Sequence, residues 1–190
     1  MKTLKGSKFI LRELDPEKDE KSIIENISNT KILNKINLES PYTKENYQDF
    51  VKSYEKIKNG LSNDKQFIID VNGEAVGVIG LMIKNKSKSH VGTFGYWLGE
   101  KYWGQGIVPE AIKMLVDYAF NELGLLKLKI DFLEDNLNSR RVAEKNGFTY
   151  EYTQKKECFK EGKYTDLVCF SRFKEELWFY TISKYDFKIV

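Results

Sequence analysis

The chain has 190 residues, one domain's worth where domains run to roughly 100–200 residues, so it can bury one good core and hardly two. Apolar residues make up 41% and charged residues 31%, ordinary for a folded domain and unlike a disordered or fibrous chain. Its 31 basic and 28 acidic side chains leave a net charge of +3, too even for a dedicated nucleic-acid binder.

Phe9 to Leu14 reads as a first strand. Asp15-Pro16 then opens a helix to about Ile27, with Ile23, Ile24 and Ile27 on one face. Residues 28–42 are polar and irregular, a loop with room for a helical turn. Thr43 can cap a second helix, in which Tyr47, Phe50, Val51, Tyr54 and Ile57 recur at helical spacing, and Asn59-Gly60 ends it. Gln66 to Val71 and Ala75 to Ile83 are β-branched runs joined by Asn72-Gly73, a strong hairpin signal. A loop at 84–89 leads to a third run, Val91 to Leu98. From Val108 or Pro109 the period is helical again: Ala111, Leu115 and Ala119 step by four beside Ile112, Val116 and Phe120, and Gly124 stops the run. Leu126 to Leu133 is a strand. Asn136 can cap a short helix to Lys145, which ends at Gly147. Thr149 to Phe159 and Tyr164 to Phe173 form a last hairpin across Glu161-Gly162. Each of Pro16, Pro41 and Pro109 sits where a helix can begin. The pattern is α/β of the α+β type: one mixed, mostly antiparallel sheet with flanking helices, and one parallel pair supplied by the strand–helix–strand unit around Pro109.

The longest apolar-or-glycine run, Ala75 to Ile83, is nine residues, against the about 20 that a spanning helix needs. Met1 to Lys8 contains no apolar stretch resembling a secretory signal, so a cytoplasmic protein without membrane attachment is expected. Cys158 and Cys169 are too few for a disulfide framework and read as buried or half-buried strand positions. With one histidine, His90, and no CxxC, no metal site is expected, and His90 reads as a solvated loop residue.

The stretch from Gly95 to Ala111 carries the chemistry. A strand ends at Leu98, a turn holds Gly99, Gly104 and Gly106, and a helix follows. A glycine-rich turn into a helix N-terminus points several backbone N–H groups at one spot, with the positive end of the helix dipole behind them. That suits a phosphate or pyrophosphate, and glycine lets the anion reach the backbone. Two familiar phosphate loops fail: Ile107-Val108 stands where a P-loop has Lys-Ser/Thr, and Gly104-Gln105-Gly106 lacks the third glycine of the dinucleotide fingerprint. The turn can equally be a bare chain reversal.

Gly95-Tyr96-Trp97-Leu98, Tyr102-Trp103-Gly104-Gln105-Gly106 and Glu110-Ala111 resemble the GNAT N-acetyltransferases, and most the RimJ/RimL-like branch. The resemblance continues through Asn136 to Phe148 and Gly162 to Asp166, and covers about residues 8–178. It implies a single acetyltransferase domain at 1–178 with an extension at 179–190, a twisted sheet with splayed central strands, and acetyl-CoA held between Val91–Leu98 and Leu126–Leu133. By resemblance, the amides of Trp103, Gly104, Gln105, Gly106, Ile107 and Val108 hold the CoA pyrophosphate, while Trp97, Leu98 and Gly99 bond the pantetheine arm and polarise the thioester. Asn136 matches a family asparagine near the pantetheine, and Ser139 a serine near the CoA sulfur. About one of Lys101, Arg140, Arg141 and Lys145 is expected on the 3′-phosphate, Arg141 foremost. Asn29 to Tyr42 and Phe159 to Thr165 are expected to line the acceptor groove. Three departures stand out: Val108 ends the turn in place of a smaller residue, Thr93 stands where many relatives have a glutamate base, and Ala143 where the wider family often has a tyrosine acid.

Acetyl transfer needs a neutral amine. An α-amino group, with pKa about 7.7–8.0, is partly neutral at pH 7, whereas a lysine near about 10.4 mostly is not. Orientation and desolvation can lower the barrier by roughly 7–11 kcal/mol, and a thiolate leaves readily, so the missing glutamate is tolerable for an α-amine; Thr93 cannot be a strong base, but it can hold a water that relays the proton. The expected partners are acetyl-CoA and an amine acceptor, a protein N-terminus ahead of a small amine or antibiotic, with no nucleic acid, in a monomer or homodimer. A non-catalytic acyl-CoA binder and a binder of another phosphate ligand are the alternatives.

Overall fold

The computed structural model describes residues 3–36, 38, 40–83, 90–160 and 162–174. The expected loop at 84–89 and the extension at 179–190 lie outside them. The strands are β1 (Leu4–Lys5), β2 (Ile10–Arg12), β3 (Lys65–Val71), β4 (Glu74–Ile83), β5 (Val91–Leu98), β6 (Lys127–Leu133), β7 (Thr149–Lys160) and β8 (Lys163–Phe173). The helices are α1 (Pro16–Ile27), α2 (Thr30–Leu33), α3 (Lys44–Lys58), α4 (Ile107–Asn121) and α5 (Leu137–Lys145), with a 3₁₀ turn at Glu100–Tyr102.

One eight-stranded sheet runs in the order β1-β2-β3-β4-β5-β6-β8-β7. Its only parallel contact among the described residues is β5 with β6, joined by the crossover helix α4 that such a pair needs. β3 and β4 meet at Asn72 (φ 54°) and Gly73 (φ 85°), the left-handed pair that a tight hairpin turn requires. Local chemistry sets the helix starts. Asp15 caps α1 with Pro16 as its first residue, and Thr43 with Asn46 closes a capping box on α3.

β3 and β4 read as nearly continuous apolar runs because both faces of the sheet are covered. Phe67, Ile69, Ile79, Leu81 and Phe94 pack on one face against Ala111, Ile112, Leu115 and Ala119 of α4. Ile68, Ala75 and Val78 pack on the other against Ile23 and Ile27 of α1 and Tyr47 and Tyr54 of α3. Each large side chain buried this way stabilises the fold by about 1.5–3 kcal/mol.

Several expectations shift by a residue or two. The first strand is shorter, Ile10–Arg12, and gains the partner β1. Residues 28–42 hold one helical turn, α2, capped by Asn29. Helix α4 starts at Ile107, which places Pro109 third rather than first, and Pro41 stands three residues before α3 rather than at a helix start. Cys158 in β7 and Cys169 in β8 are both buried and unbridged.

Candidate active site

The register of the central strands opens the sheet at one point. β5 and β6 pair only from Val91↔Lys127 to Phe94↔Ile130. β5 stays with β4 as far as Leu98, and β6 stays with β8 as far as Leu133. The last four residues of β5 and the last three of β6 therefore diverge, as the expected splay requires. A cleft of about 1170 Å³ runs through this gap. On one side it is lined by Gly104, Gly106, Ile107, Val108, Ser139 and Arg141; on the other by Ile27, Tyr42, Phe50, Met82, Thr93 and Gly95.

The turn at the head of the cleft is built by glycine. Gly104 (φ 72°) and Gly106 (φ 80°) are left-handed, and a Cβ at either would meet nothing within 4 Å. Both therefore face open space, and the backbone is exposed where the helix dipole is positive. Trp103 N–H is engaged by Glu100 O at 3.0 Å, and Glu110 N–H by Gly106 O at 3.1 Å. Between them, the amides of Gly104, Gln105, Gly106, Ile107 and Val108 have no acceptor among the described residues. Val108 turns its side chain into the core, 8% exposed, so its bulk does not crowd the turn. Gln105 folds back to donate to Lys101 O at 3.0 Å, and Trp103 Nε1 donates to Leu98 O at 2.6 Å, stapling the turn to the strand end.

The strand end is narrower in donors than its sequence suggests. Of the stretch Trp97 to Gly99 expected on the pantetheine arm, Gly99 has its N–H engaged within the sheet, donating to Val76 O at 2.8 Å. That bond fixes the phase of the β4–β5 ladder, in which alternate residues face the neighbouring strand. Trp97, opposite Val78, is turned into the ladder, whereas Leu98 and Tyr96 present their backbone to the gap.

Asn136 caps α5 by accepting from Ser139 N–H at 3.1 Å and donates to Lys35 O at 3.3 Å, tying that helix to the segment after α2. Ser139 is buried in the first turn. Beside it lies the hydroxyl of Tyr96, buried but without a hydrogen bond of ordinary geometry among the described residues. Burial pushes the Tyr96 phenol up to about 12, with the neighbouring Ser139 pulling the other way. Sequence reasoning missed Tyr96 as a polar group; the signal lay in the strand's alternation, which turns it toward α4 and α5. Among the cations, Lys101 pairs with Glu74 at 2.8 Å and Arg140 with Glu144 at 3.4 Å, whereas Arg141 and Lys145 line the cleft with no ion pair among the described residues. Thr93 lies on the α1/α3 face, between Met82 of β4 and Lys129 of β6. Ala143 is core, and His90 is exposed. From the segment 29–42, Lys31, Ile32, Lys35 and Tyr42 line the cleft, while Lys160, Lys163 and Thr165 line an adjoining pocket of about 480 Å³.

A buried polar atom without a partner costs roughly 1–3 kcal/mol. Among the described residues four side chains carry such an atom: Gln66 Oε1, Tyr96 Oη and Asp131 Oδ1, whose residues line the cleft, and Tyr54 Oη, in the core under α1 and α3. Together with the open amides, the three in the cleft mark a ligand site that spans the sheet. A turn of open amides at a helix start, a splayed parallel pair and a through-going cleft define a group-transfer fold of the acetyltransferase type. A family model described as acetyltransferase (GNAT) domain matches residues 8–149, and the chain belongs to that family. Relatives include the SPbeta prophage-derived uncharacterized N-acetyltransferase YokL of Bacillus subtilis, 29% identical over 90% of this chain and 93% of its own length. The ribosomal-protein-serine acetyltransferase of Escherichia coli is 29% identical over 67% of this chain and 75% of its own. The solved structure of RimL, the ribosomal L7/L12 alpha-N-protein acetyltransferase in complex with coenzyme A, superposes with a TM-score of 0.80 at 21% identity, covering 90% of this chain and 98% of that one. No helix among the described residues is long and apolar enough to cross a membrane.

Proposed function

We propose that the chain transfers acetyl from acetyl-CoA to the N-terminal α-amine of a protein, by direct attack in a ternary complex. The observation that carries this is the run of five open amides, Gly104 to Val108, at the head of a cleft that passes between two diverging strands. Such amides suit a diphosphate, which leaves the pantetheine arm to run into the gap beside Asn136 and the thioester to reach Leu98. The gap-facing Leu98 N–H is the donor for the oxyanion that forms when nitrogen attacks the carbonyl. Ser139 and Tyr96 stand together on the CoA side, where a hydroxyl can bond the departing thiolate. The acceptor enters from the α1/α3 face. Likeness to ribosomal-protein enzymes supports a peptide terminus, as does the lower pKa of an α-amine.

Thiol release from acetyl-CoA with a panel of peptides bearing free N-termini, beside polyamines and amino sugars, tests the reading. Turnover of peptides supports it, and CoA binding without turnover on any amine overturns it. Ser139→Ala is expected to lower kcat about tenfold with little change in acetyl-CoA affinity, which stopped-flow thiol release measures. Arg141→Ala is expected to weaken CoA about tenfold but to leave dephospho-CoA unchanged, because only the 3′-phosphate meets the guanidinium.

A further inference from the structure

We propose that Asp131 is the carboxylate that receives the acceptor's ammonium group and takes its proton. This rests on the acetyl-transfer reading above, and it supplies the base that Thr93 cannot be.

Strand register places Asp131. On the α1/α3 face, Gln66 of β3 lies opposite Gly80 of β4, and Gly80 lies opposite Gly95 of β5. Two adjacent strands thus present no side chain there, and the row forms a bare strip across the sheet. A Cβ on Gly95 would meet only Met82 Cε, at 3.6 Å, so the strip opens into the cleft. β6 pairs with β5 up to Phe94↔Ile130, and the next residue is Asp131. Ile130 and Phe132 point into the α4 core, so Asp131 faces the opposite way, on the face of Thr93 and Gly95. The strip therefore ends on a carboxylate at the point where the strands part.

That carboxylate is poised for a cation. Its Oδ1 is buried and has no hydrogen-bond partner among the described residues. Its Oδ2 lies 3.7 Å from Lys129 Nζ, which is itself turned to the Tyr152 hydroxyl at 2.7 Å. Asp49 is the other carboxylate lining the cleft among the described residues, but it is exposed and paired with Lys52 at 2.8 Å. No histidine lines the cleft among the described residues. The groups that face Asp131 are Lys129 from its own strand and Cys169, opposite it on β8, whose thiol points at the carboxylate; Tyr152 of β7 faces Lys129 and Cys169. Burial, aided by Asp131, pushes the Cys169 thiol up to about 12, so it stays neutral through the assay range.

In the reaction, an ammonium group docks on Oδ1 and gives it one proton. The freed lone pair forms the C–N bond to the thioester carbonyl, and the C–S bond breaks as the tetrahedral oxyanion collapses. The second ammonium proton goes to the departing thiolate, and the products are the amide, CoA thiol and one proton released from Asp131 to solvent.

The test is steady-state kinetics of Asp131→Asn, Asp131→Glu and Gly95→Val on a peptide with a free N-terminus, with CoA affinity measured by calorimetry. Asp131→Asn is expected to lower kcat/KM for the peptide about 10²-fold at pH 7, to recover as pH rises past the amine's own pKa, and to bind CoA as the wild type does. Asp131→Glu restores part of the loss. Gly95→Val fills the strip, so it raises KM for the peptide while KM for acetyl-CoA stays put, whatever the stability of the Asp131 variants. The proposal is overturned if Asp131→Asn keeps the wild-type rate and pH profile, or if Gly95→Val leaves the peptide's KM unchanged. Failure of the underlying reading is distinct: the wild type itself would release no thiol.

Discussion

Gly106→Glu is expected to abolish CoA binding while leaving a folded protein. Gly106 is the left-handed N-cap of α4, and its missing Cβ faces open space beside the five unpaired amides. A carboxylate there would take those donors for itself and stand against the diphosphate. Two unit charges about 4 Å apart at an effective dielectric of about 20 repel by roughly 4 kcal/mol, close to a 10³-fold loss in affinity. The left-handed backbone adds strain of about 1–2 kcal/mol for any residue with a Cβ. Gly106→Ala carries that strain without the charge, so it separates the two effects. Calorimetry is expected to give an alanine variant within about tenfold of wild type and a glutamate variant with no measurable binding, although both melt at similarly lowered temperatures.

The second large effect concerns stability. Arg12→Leu is expected to destabilise the fold by about 3–5 kcal/mol, because it strands two buried carboxylates. Arg12 Nε donates to Asp70 at 2.6 Å, and its two terminal nitrogens donate to Asp19 at 2.7 and 2.8 Å. Asp19 and Asp70 are almost wholly buried. Asp19 also accepts from Asp15 N–H at 2.9 Å and Asp70 from Gly73 N–H at 2.7 Å, so one guanidinium ties β2, the start of α1 and the β3–β4 turn. The hydrogen bond to Asp19, working against desolvation, holds the guanidinium's pKa above its usual value, so it stays charged throughout. A chain of this size loses roughly 2–4 °C in Tm per kcal/mol, so calorimetric melting is expected to fall by about 10 °C or more.

Local signals carried the elements and the turn. Asn72-Gly73 marked its hairpin, the four-residue stepping of Ala111, Leu115 and Ala119 marked α4, and Gly104 and Gly106 marked the place where backbone donors stay open. Elements too short for a period escaped: β1 has two residues and α2 has four. The final hairpin was visible in the chain, but not that β8 lies inside against β6 while β7 takes the edge, since pairing beyond the hairpin depends on distant strands. The face of the sheet that carries Thr93 and Asp131 was the least legible. Asp131 sits in Lys-Leu-Lys-Ile-Asp-Phe-Leu, where alternation alone reads it as one more polar position on a strand. Only the parallel register of β5 and β6, together with the glycines opposite one another at 80 and 95, brings it to the splay. Tyr96 stands in the sequence only as part of Gly95-Tyr96-Trp97-Leu98; that its hydroxyl is buried beside Ser139 depends on how β5 packs against α5.

Resolved amide resonances of the ¹⁵N-labelled protein, titrated with CoA, test the anion-cradle claim most directly. Gly104, Gln105, Gly106, Ile107 and Val108 are expected to exchange with water freely in the unliganded protein, then to shift downfield together and become protected as CoA saturates. CoA binding with those five signals unmoved and still exchanging would mean that the diphosphate is held elsewhere, and the assignment of the turn would fall.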